Sequence, residues 1–344
     1  MPQTRKRVIL DAMGGDLGPA ACVEGAVQAI TEASYDLDVT LVGDERLLRK
    51  EIRQFDLNGS HIDLVHASDV ISMHDPATDG IRKKNSSIGV AMRLMRENHG
   101  DAVVSTGNTG AVMAAGLAHL GRLKGVSRPA IACLFPHDGG GKTLLVDAGA
   151  NPVCKPQNLM EFAVMGSVYA SQVIGVNTPR VGLLSIGEEA TKGTDLIFES
   201  HRILTNSELN FVGNVEGRDI LSGRADVVVC DGYVGNVLLK FAESLQSFLT
   251  NAVRRQISSN YFSKAGAMLM GPFLRRMKKT FDYAEYGGAP LLGLNGMCMI
   301  CHGSSPPKAI KNAIWAVEKG FDQGVNLLIS EALERAKTAR VVKE

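Results

Sequence analysis

The strongest constraint in this chain is a rhythm. Apolar runs of strand length alternate with longer stretches of helical spacing, and many of the runs end in Gly, Asp or Asn. Val8-Ile9-Leu10, Val39 to Val42, His61 to His66, Ala102-Val103-Val104, Ala130 to Phe135, Leu144-Leu145-Val146, Val181 to Ile186 and Val227-Val228-Val229 are the strands this pattern predicts. A helix is expected over Pro19 to Ala33, with proline near its first turn, and another after Asp44, which stands where a cap is needed. Strands separated by helices predict an α/β fold with a largely parallel sheet covered on both faces.

The segments that follow the strands share one chemistry. Asp11-Ala12-Met13-Gly14-Gly15-Asp16 follows the first, and Ser105-Thr106-Gly107-Asn108-Thr109-Gly110 a middle one. Asp147-Ala148-Gly149-Ala150-Asn151, Gly187-Glu188-Glu189 and Asp231-Gly232-Tyr233-Val234-Gly235-Asn236 come later. In open parallel sheets ligands bind beyond the carboxyl ends of the strands, and glycine there lets backbone approach a ligand. Tight βα turns also favour Gly and Asn, so a single loop decides little. Several loops together point to one shared site on one sheet edge.

Charge and composition narrow the partners. The 37 basic and 36 acidic residues leave a formal net charge of +1, which argues against broad nucleic-acid binding. The cysteines at 22, 133, 154, 230, 298 and 301 are scattered, mostly in apolar runs, as suits a reducing cytosol. The first residues lack the apolar core of a secretory signal, and no apolar run reaches membrane-spanning length. A cytoplasmic protein is expected, its 344 residues forming a single α/β domain.

Two familiar motifs fail on their context, and two more are missing. Gly139-Gly140-Gly141-Lys142-Thr143 resembles the end of a nucleotide-binding P-loop, but Pro136 stands where the motif needs Gly and a strand follows instead of a helix, so a hairpin turn fits better. Cys298 and Cys301 have the spacing of half a zinc site without a second pair, which favours a buried strand end. No dinucleotide fingerprint follows the first strand, and no G-x-S-x-G elbow supplies a nucleophile.

One region departs from the rhythm. From Lys240, Phe241, Leu245, Phe248, Leu249 and Ala252 keep helical spacing, and Arg254 to Asp282 carries seven Lys/Arg against a single Asp. Phe273, Leu274, Met277 and Phe281 form one stripe, with Arg275 and Lys279 opposite. Residues 240–285 are therefore expected to form a helical arm, either a dimer helix pair whose tip touches an anionic membrane, or a dimer interface or docking surface for an acidic carrier protein, the first being favoured.

Taken in order, the strand-end loops resemble those of the bacterial phosphate acyltransferases that feed phospholipid synthesis. The likeness also includes His74-Asp75-Pro76, Arg82-Lys83-Lys84-Asn85-Ser86-Ser87, Gly187 to Gly193, Asn214-Val215-Glu216-Gly217 and His302-Gly303-Ser304-Ser305, and it spans nearly the whole chain. The resemblance implies a Rossmann-like three-layer α/β/α sandwich, a homodimer, and acyl carrier protein as donor of a long-chain acyl group to inorganic phosphate. The product would then pass to a membrane acyltransferase. No cofactor and no metal are implied.

For that reaction the phosphate is itself the nucleophile, so the protein has to hold it, place the thioester carbonyl and stabilise the developing oxyanion. The resemblance marks Lys192 as a catalytic residue, holding phosphate and offsetting transition-state charge; a cation just before a helix opposes the helix dipole, which argues against a purely structural role. Asn236 is the candidate amide donor to oxyanion or phosphate, although Asn also suits a βα turn. Candidates for contact with phosphate or donor are Gly14, Gly15, Asp16, His74, Arg82, Lys83, Ser86, Thr106, Gly107, Asn108, Thr109, Gly187, Glu188, Asn214, Gly232 and Gly235. Ser86 or Ser87 can instead cap the helix that begins near Ile88. His74 can protonate the departing thiolate, though a thiolate leaves without help. The alternatives are a coenzyme A-dependent phosphate acetyl- or butyryltransferase, an NAD-dependent decarboxylating dehydrogenase of similar architecture, which would need a clustered aspartate metal site that the sequence does not offer, and a membrane-associated scaffold.

Overall fold

A computed structural model describes residues 5–57, 62–258, 261–273, 276 and 283–343. Its strands are β1 (Lys6–Asp11), β2 (Leu37–Gly43), β3 (Ile62–His66), β4 (Ala102–Ser105), β5 (Ala130–Pro136), β6 (Lys142–Val146), β7 (Val181–Leu184), β8 (Phe211–Val215), β9 (Val227–Val229), β10 (Ala289–Leu292) and β11 (Met297–Ile300). They form one sheet in the order β3-β2-β1-β4-β11-β10-β5-β6-β9-β7-β8. His61, expected in the third strand, lies outside the described residues.

Period-two alternation of the strands explains the layers. Leu10, Val104, Val146 and Val229 turn to one face, where they meet the helices Gly18–Glu32, Pro156–Tyr169 and Pro307–Asp322 and the start of Val325–Lys343. Ile9, Val103, Ile131 and Ile300 turn to the other and pack on Ser87–Arg96 and Thr109–His119. A smaller cluster of Leu145, Leu184, Val215 and Val228 continues that core under the far half of the sheet. Each such aliphatic side chain, fully buried, contributes about 2 kcal/mol. The three-layer α/β/α expectation is met.

The sheet is largely but not wholly parallel, and the exceptions set the geography of the site. β5 and β6 pair antiparallel, Pro136 opposite Lys142, around a turn in which His137 N–H donates to the Gly141 carbonyl. The glycine run is thus a hairpin, as its context predicts. β10 is inserted antiparallel between β11 and β5. Consequently β1, β2, β3, β4, β5 and β11 run one way, and β6, β7, β8, β9 and β10 the other. Cys298 lies buried in β11 and Cys301 buried just beyond it.

Three strands lie outside the apolar series: β11, foreseen only as a buried strand end at Cys298 and Cys301, and β8 and β10, which gave no signal. β8 contains Gly213 at φ +89° and a register irregularity opposite β7, and β10 contains Pro290, a residue that ordinarily counts against a central strand. Asp44 caps the helix Glu45–Ile52 as expected, accepting from Arg46 and Leu47 N–H. The long amphipathic helix begins earlier than its apolar spacing suggests. It spans Gly232–Ser258, because Asp231 Oδ1 accepts from Tyr233 and Val234 N–H and starts it at the glycine turn. A second helix, Tyr261–Leu269, follows. Of the expected tip stripe, Phe273 is exposed, while Leu274, Met277 and Phe281, and the opposing Arg275 and Lys279, lie outside the described residues. Among the described residues no helix is long and apolar enough to cross a membrane.

Candidate active site

The expected site residues fall into two groups, not one. Because the β5–β6 hairpin reverses the chain direction, the carboxyl ends of β1, β4 and β11 lie on one edge of the sheet and those of β6, β7, β8 and β9 on the opposite edge. The expectation of a single shared edge is corrected by that reversal.

The first edge gathers Gly14, Gly15, Asp16, Thr106, Gly107, Asn108 and Thr109, with the segment that carries His74, Arg82, Lys83 and Ser86 beside them. Its centre is Asp11, buried at the end of β1. Ser105 Oγ donates to Asp11 Oδ2 at 2.6 Å, and Gly107 N–H donates to Ser105 Oγ at 3.1 Å. Burial raises the Asp11 pKa, and the Ser105 and Ser87 hydroxyls pull it back. Gly14 is bare because a Cβ there would lie 2.5 Å from Gly107 Cα, and Gly15 because one would lie 2.7 Å from Thr106 Oγ1. Asp16 N–H donates to the Gly303 carbonyl and ties this loop to the one after β11.

Several side chains on this edge are committed to the protein. Asn108 caps Thr109–His119 by accepting from Ala111 N–H, while its amide donates to the carbonyls of Met73 and Asp75. Lys83 pairs with Asp75 at 2.9 Å and Asp79 at 3.1 Å, which raises its pKa. Ser86 is buried and caps Ser87–Arg96 through Gly89 N–H, the capping role foreseen for it. Thr106 is buried beside Cys22. Asp16, His74, Arg82 and Thr109 remain exposed.

The second edge holds Lys192, on the loop after β7, and Asn236, on the first turn of the helix after the neighbouring strand β9. The Lys192 loop is fastened by its main chain: Ser185 Oγ donates to the Lys192 carbonyl, Lys192 N–H to the Glu189 carbonyl, and the buried Asn214 amide to the same Glu189 carbonyl. Gly187 packs against the Lys192 stem, where a Cβ would lie 3.0 Å from Lys192 Cγ. Glu188 pairs with Arg224 at 2.7 Å and with Arg218, and Arg224 holds its pKa below the usual carboxylate range. Lys192 and Asn236 are exposed, and neither side chain has a hydrogen bond or ion pair among the described residues.

Asn236 sits on the first turn of Gly232–Ser258, which rests on the loop after β6. A Cβ at Gly232 would lie 2.8 Å from Asp147 Oδ2, and one at Gly235 would lie 1.9 Å from the Asp147 carbonyl oxygen. Close packing against Asp147 therefore accounts for both glycines. Asp147 is the residue that strand-end chemistry undervalued. It is fully buried and accepts five hydrogen bonds, a role signalled only by its place before Gly149 and Asn151. Burial also pushes the Cys22, Cys133 and Cys298 thiols up to about 12, which disfavours them as nucleophiles.

Loops of this kind on a sheet of this topology have close relatives. Residues 6–328 match the family described as fatty acid synthesis protein. Phosphate acyltransferase of Geobacter sulfurreducens is 51% identical over 334 residues, covering 97% of this chain and 96% of that one. The chain belongs to the phosphate acyltransferase family. The Synechocystis phosphate acyltransferase is 46% identical, covering 98% of each chain. The fold of the family is shared more widely. A phosphotransacetylase from Streptococcus pyogenes superposes with a TM-score of 0.63 at 16% identity, covering 93% of this chain and 95% of that one, and the EutD phosphotransacetylase of Staphylococcus aureus with 0.59 at 17%, covering 92% and 94%.

Proposed function

We propose that the chain transfers a long-chain fatty acyl group from acyl carrier protein to inorganic phosphate, releasing acyl phosphate and the free carrier thiol. A phosphate oxygen attacks the thioester carbonyl carbon, the carbonyl oxygen gathers negative charge, and the C–S bond then breaks. Lys192 binds phosphate and offsets the charge of the transition state, while the Asn236 amide donates to the oxyanion. One observation carries this reading. Of the four expected polar residues that fall on the second edge, Lys192, Glu188, Asn214 and Asn236, only Lys192 and Asn236 keep their side chains free of protein partners among the described residues. Groups left uncommitted and exposed, on segments that follow the paired strands β7 and β9, are available to a substrate.

The test is phosphate-dependent acyl phosphate formation from palmitoyl carrier protein, trapped with hydroxylamine, beside a palmitoyl coenzyme A control. Product is expected from the carrier donor and only with phosphate. Product from coenzyme A alone would shift the reading to a coenzyme A-dependent transferase.

The helices that follow serve assembly in the same reading. Phe241, Phe248 and Leu249 are more than half exposed along Gly232–Ser258, an apolar face suited to a second copy of this chain. Farther on, Tyr261, Met268 and Leu269 are more than four-fifths exposed near Lys264, a pattern suited to an anionic membrane surface. Such contact would deliver acyl phosphate beside the membrane acyltransferase that consumes it. Phe273→Asp is expected to weaken binding to phosphatidylglycerol vesicles several-fold in flotation, with carrier-dependent turnover in solution unchanged. Unaltered flotation would remove Phe273 from the membrane role.

A further inference from the structure

The floor beneath Asn236 is one loop, and that loop is organised by one carboxylate. Asp147 Oδ1 accepts from the N–H groups of Ile131, Gly149 and Ala150 at 3.0–3.1 Å. Its Oδ2 accepts from Asn151 N–H at 2.7 Å and from Asn151 Nδ2 at 2.8 Å. The loop so formed meets the helix start at both ends. The Asn151 carbonyl accepts from Gly232 N–H, and a Cβ on Gly149 would lie 3.3 Å from Asn236 Cβ and 3.4 Å from its Oδ1. Between these contacts the Asp147 carbonyl faces the bare Cα of Gly235.

We propose that Asp147 is a positioning residue for Asn236: by gathering the N–H groups of its loop it fixes the surface against which the Asn236 side chain is set. The inference rests on the oxyanion role proposed for Asn236. Its physical basis is the acceptor inventory. A carboxylate offers two acceptor oxygens and no donor, whereas an amide of the same shape offers one oxygen and an NH₂ group. In whichever orientation Asn stands at 147, at least two of the five donors face the NH₂ group. A buried donor left without an acceptor is costly, so the loop moves, and Gly149 moves with it under Asn236. Preorganisation of a donor to within a fraction of an ångström is what such a shift removes.

The test is a double-mutant cycle on the full-length protein, using Asp147→Asn, Asn236→Ala and the double variant, with kcat and KM for phosphate measured and folding followed by circular dichroism. Asp147→Asn is expected to lower kcat by about 10²-fold, the size of losing one oxyanion donor, with little change in KM. In the Asn236→Ala background the same substitution is expected to change kcat by no more than about twofold, because the group it positions is already gone. Equal fold losses in both backgrounds would show that Asp147 acts independently of Asn236 and would overturn the proposal alone. Full turnover in Asn236→Ala would overturn the Asn236 role and this proposal with it. Should Asp147→Asn fail to fold, Asn151→Ala, which removes one side-chain donor to Asp147 together with its bond to the Pro129 carbonyl, takes its place. A roughly tenfold kcat loss is expected there, absent from the Asn236→Ala background, and a loss that persists in that background would count against the proposal.

Discussion

Lys192→Ala is expected to lower the turnover of acyl phosphate formation by about 10²–10³-fold, the range seen when one charge-stabilising group is removed from a transition state. The argument rests on where the side chain is and on what it lacks. Lys192 is exposed on the second edge and has no ion pair or hydrogen bond of its own among the described residues, so its removal leaves no buried partner behind. The loop around it is held through the carbonyls of Lys192 and Glu189, both intact in the alanine variant. The thermal midpoint should therefore stay within the small range of surface substitutions. Lys192→Arg keeps the charge but changes the donor geometry, and should recover part of the lost turnover. Rates measured with palmitoyl carrier protein at saturating phosphate decide the matter. Normal turnover in Lys192→Ala would take the lysine out of the mechanism.

The second large effect is on folding. In Gly235→Ala the new Cβ would lie 1.9 Å from the Asp147 carbonyl oxygen and 2.9 Å from its carbonyl carbon, both backbone atoms that cannot rotate away. Either the first turn of Gly232–Ser258 lifts off the loop or the loop is pushed into β6. Overpacking of this kind costs about 3 kcal/mol, and because Asn236 is the next residue, activity should fall along with stability. Gly266→Ala is the control. It lies within the helix Tyr261–Leu269, and a Cβ there meets nothing within 4 Å among the described residues. That change should stabilise the helix by up to about 1 kcal/mol. Chemical denaturation of the two variants beside the parent chain measures both, and equal stability of Gly235→Ala and the parent would mean that the close approach is not tight in solution.

Most strands were legible because their signal is local. Runs such as Ala102-Val103-Val104 and Val227-Val228-Val229 are apolar at every position, as a strand covered on both faces must be, and the structure buries all of those residues. β8 and β10 were not legible, since Gly213 and Pro290 break the pattern and tertiary pairing overrides what they prefer alone. Some side chains were legible in kind but not in use. Ser86, Asn108 and Asp231 have the residue types of both caps and ligand donors, and sequence cannot say which hydrogen bond is made. In the fold all three cap helices, and Asn108 additionally anchors the loop that carries His74.

The residues by themselves determined the α/β class and the glycine and carboxylate chemistry at the strand ends, because hydrophobic periodicity and turn chemistry are written within a few neighbours, while the family resemblance marked Lys192, to be tested beside Asn236. Tertiary structure alone decided which of those strand ends share an edge. That depends on the β5–β6 hairpin and on β10 crossing back between β11 and β5, pairings between segments as far apart as Ile131 and Leu291. It also decided that a buried carboxylate at 147 underlies Asn236, since hydrogen-bond partners are chosen by proximity in the folded chain and not by position along it.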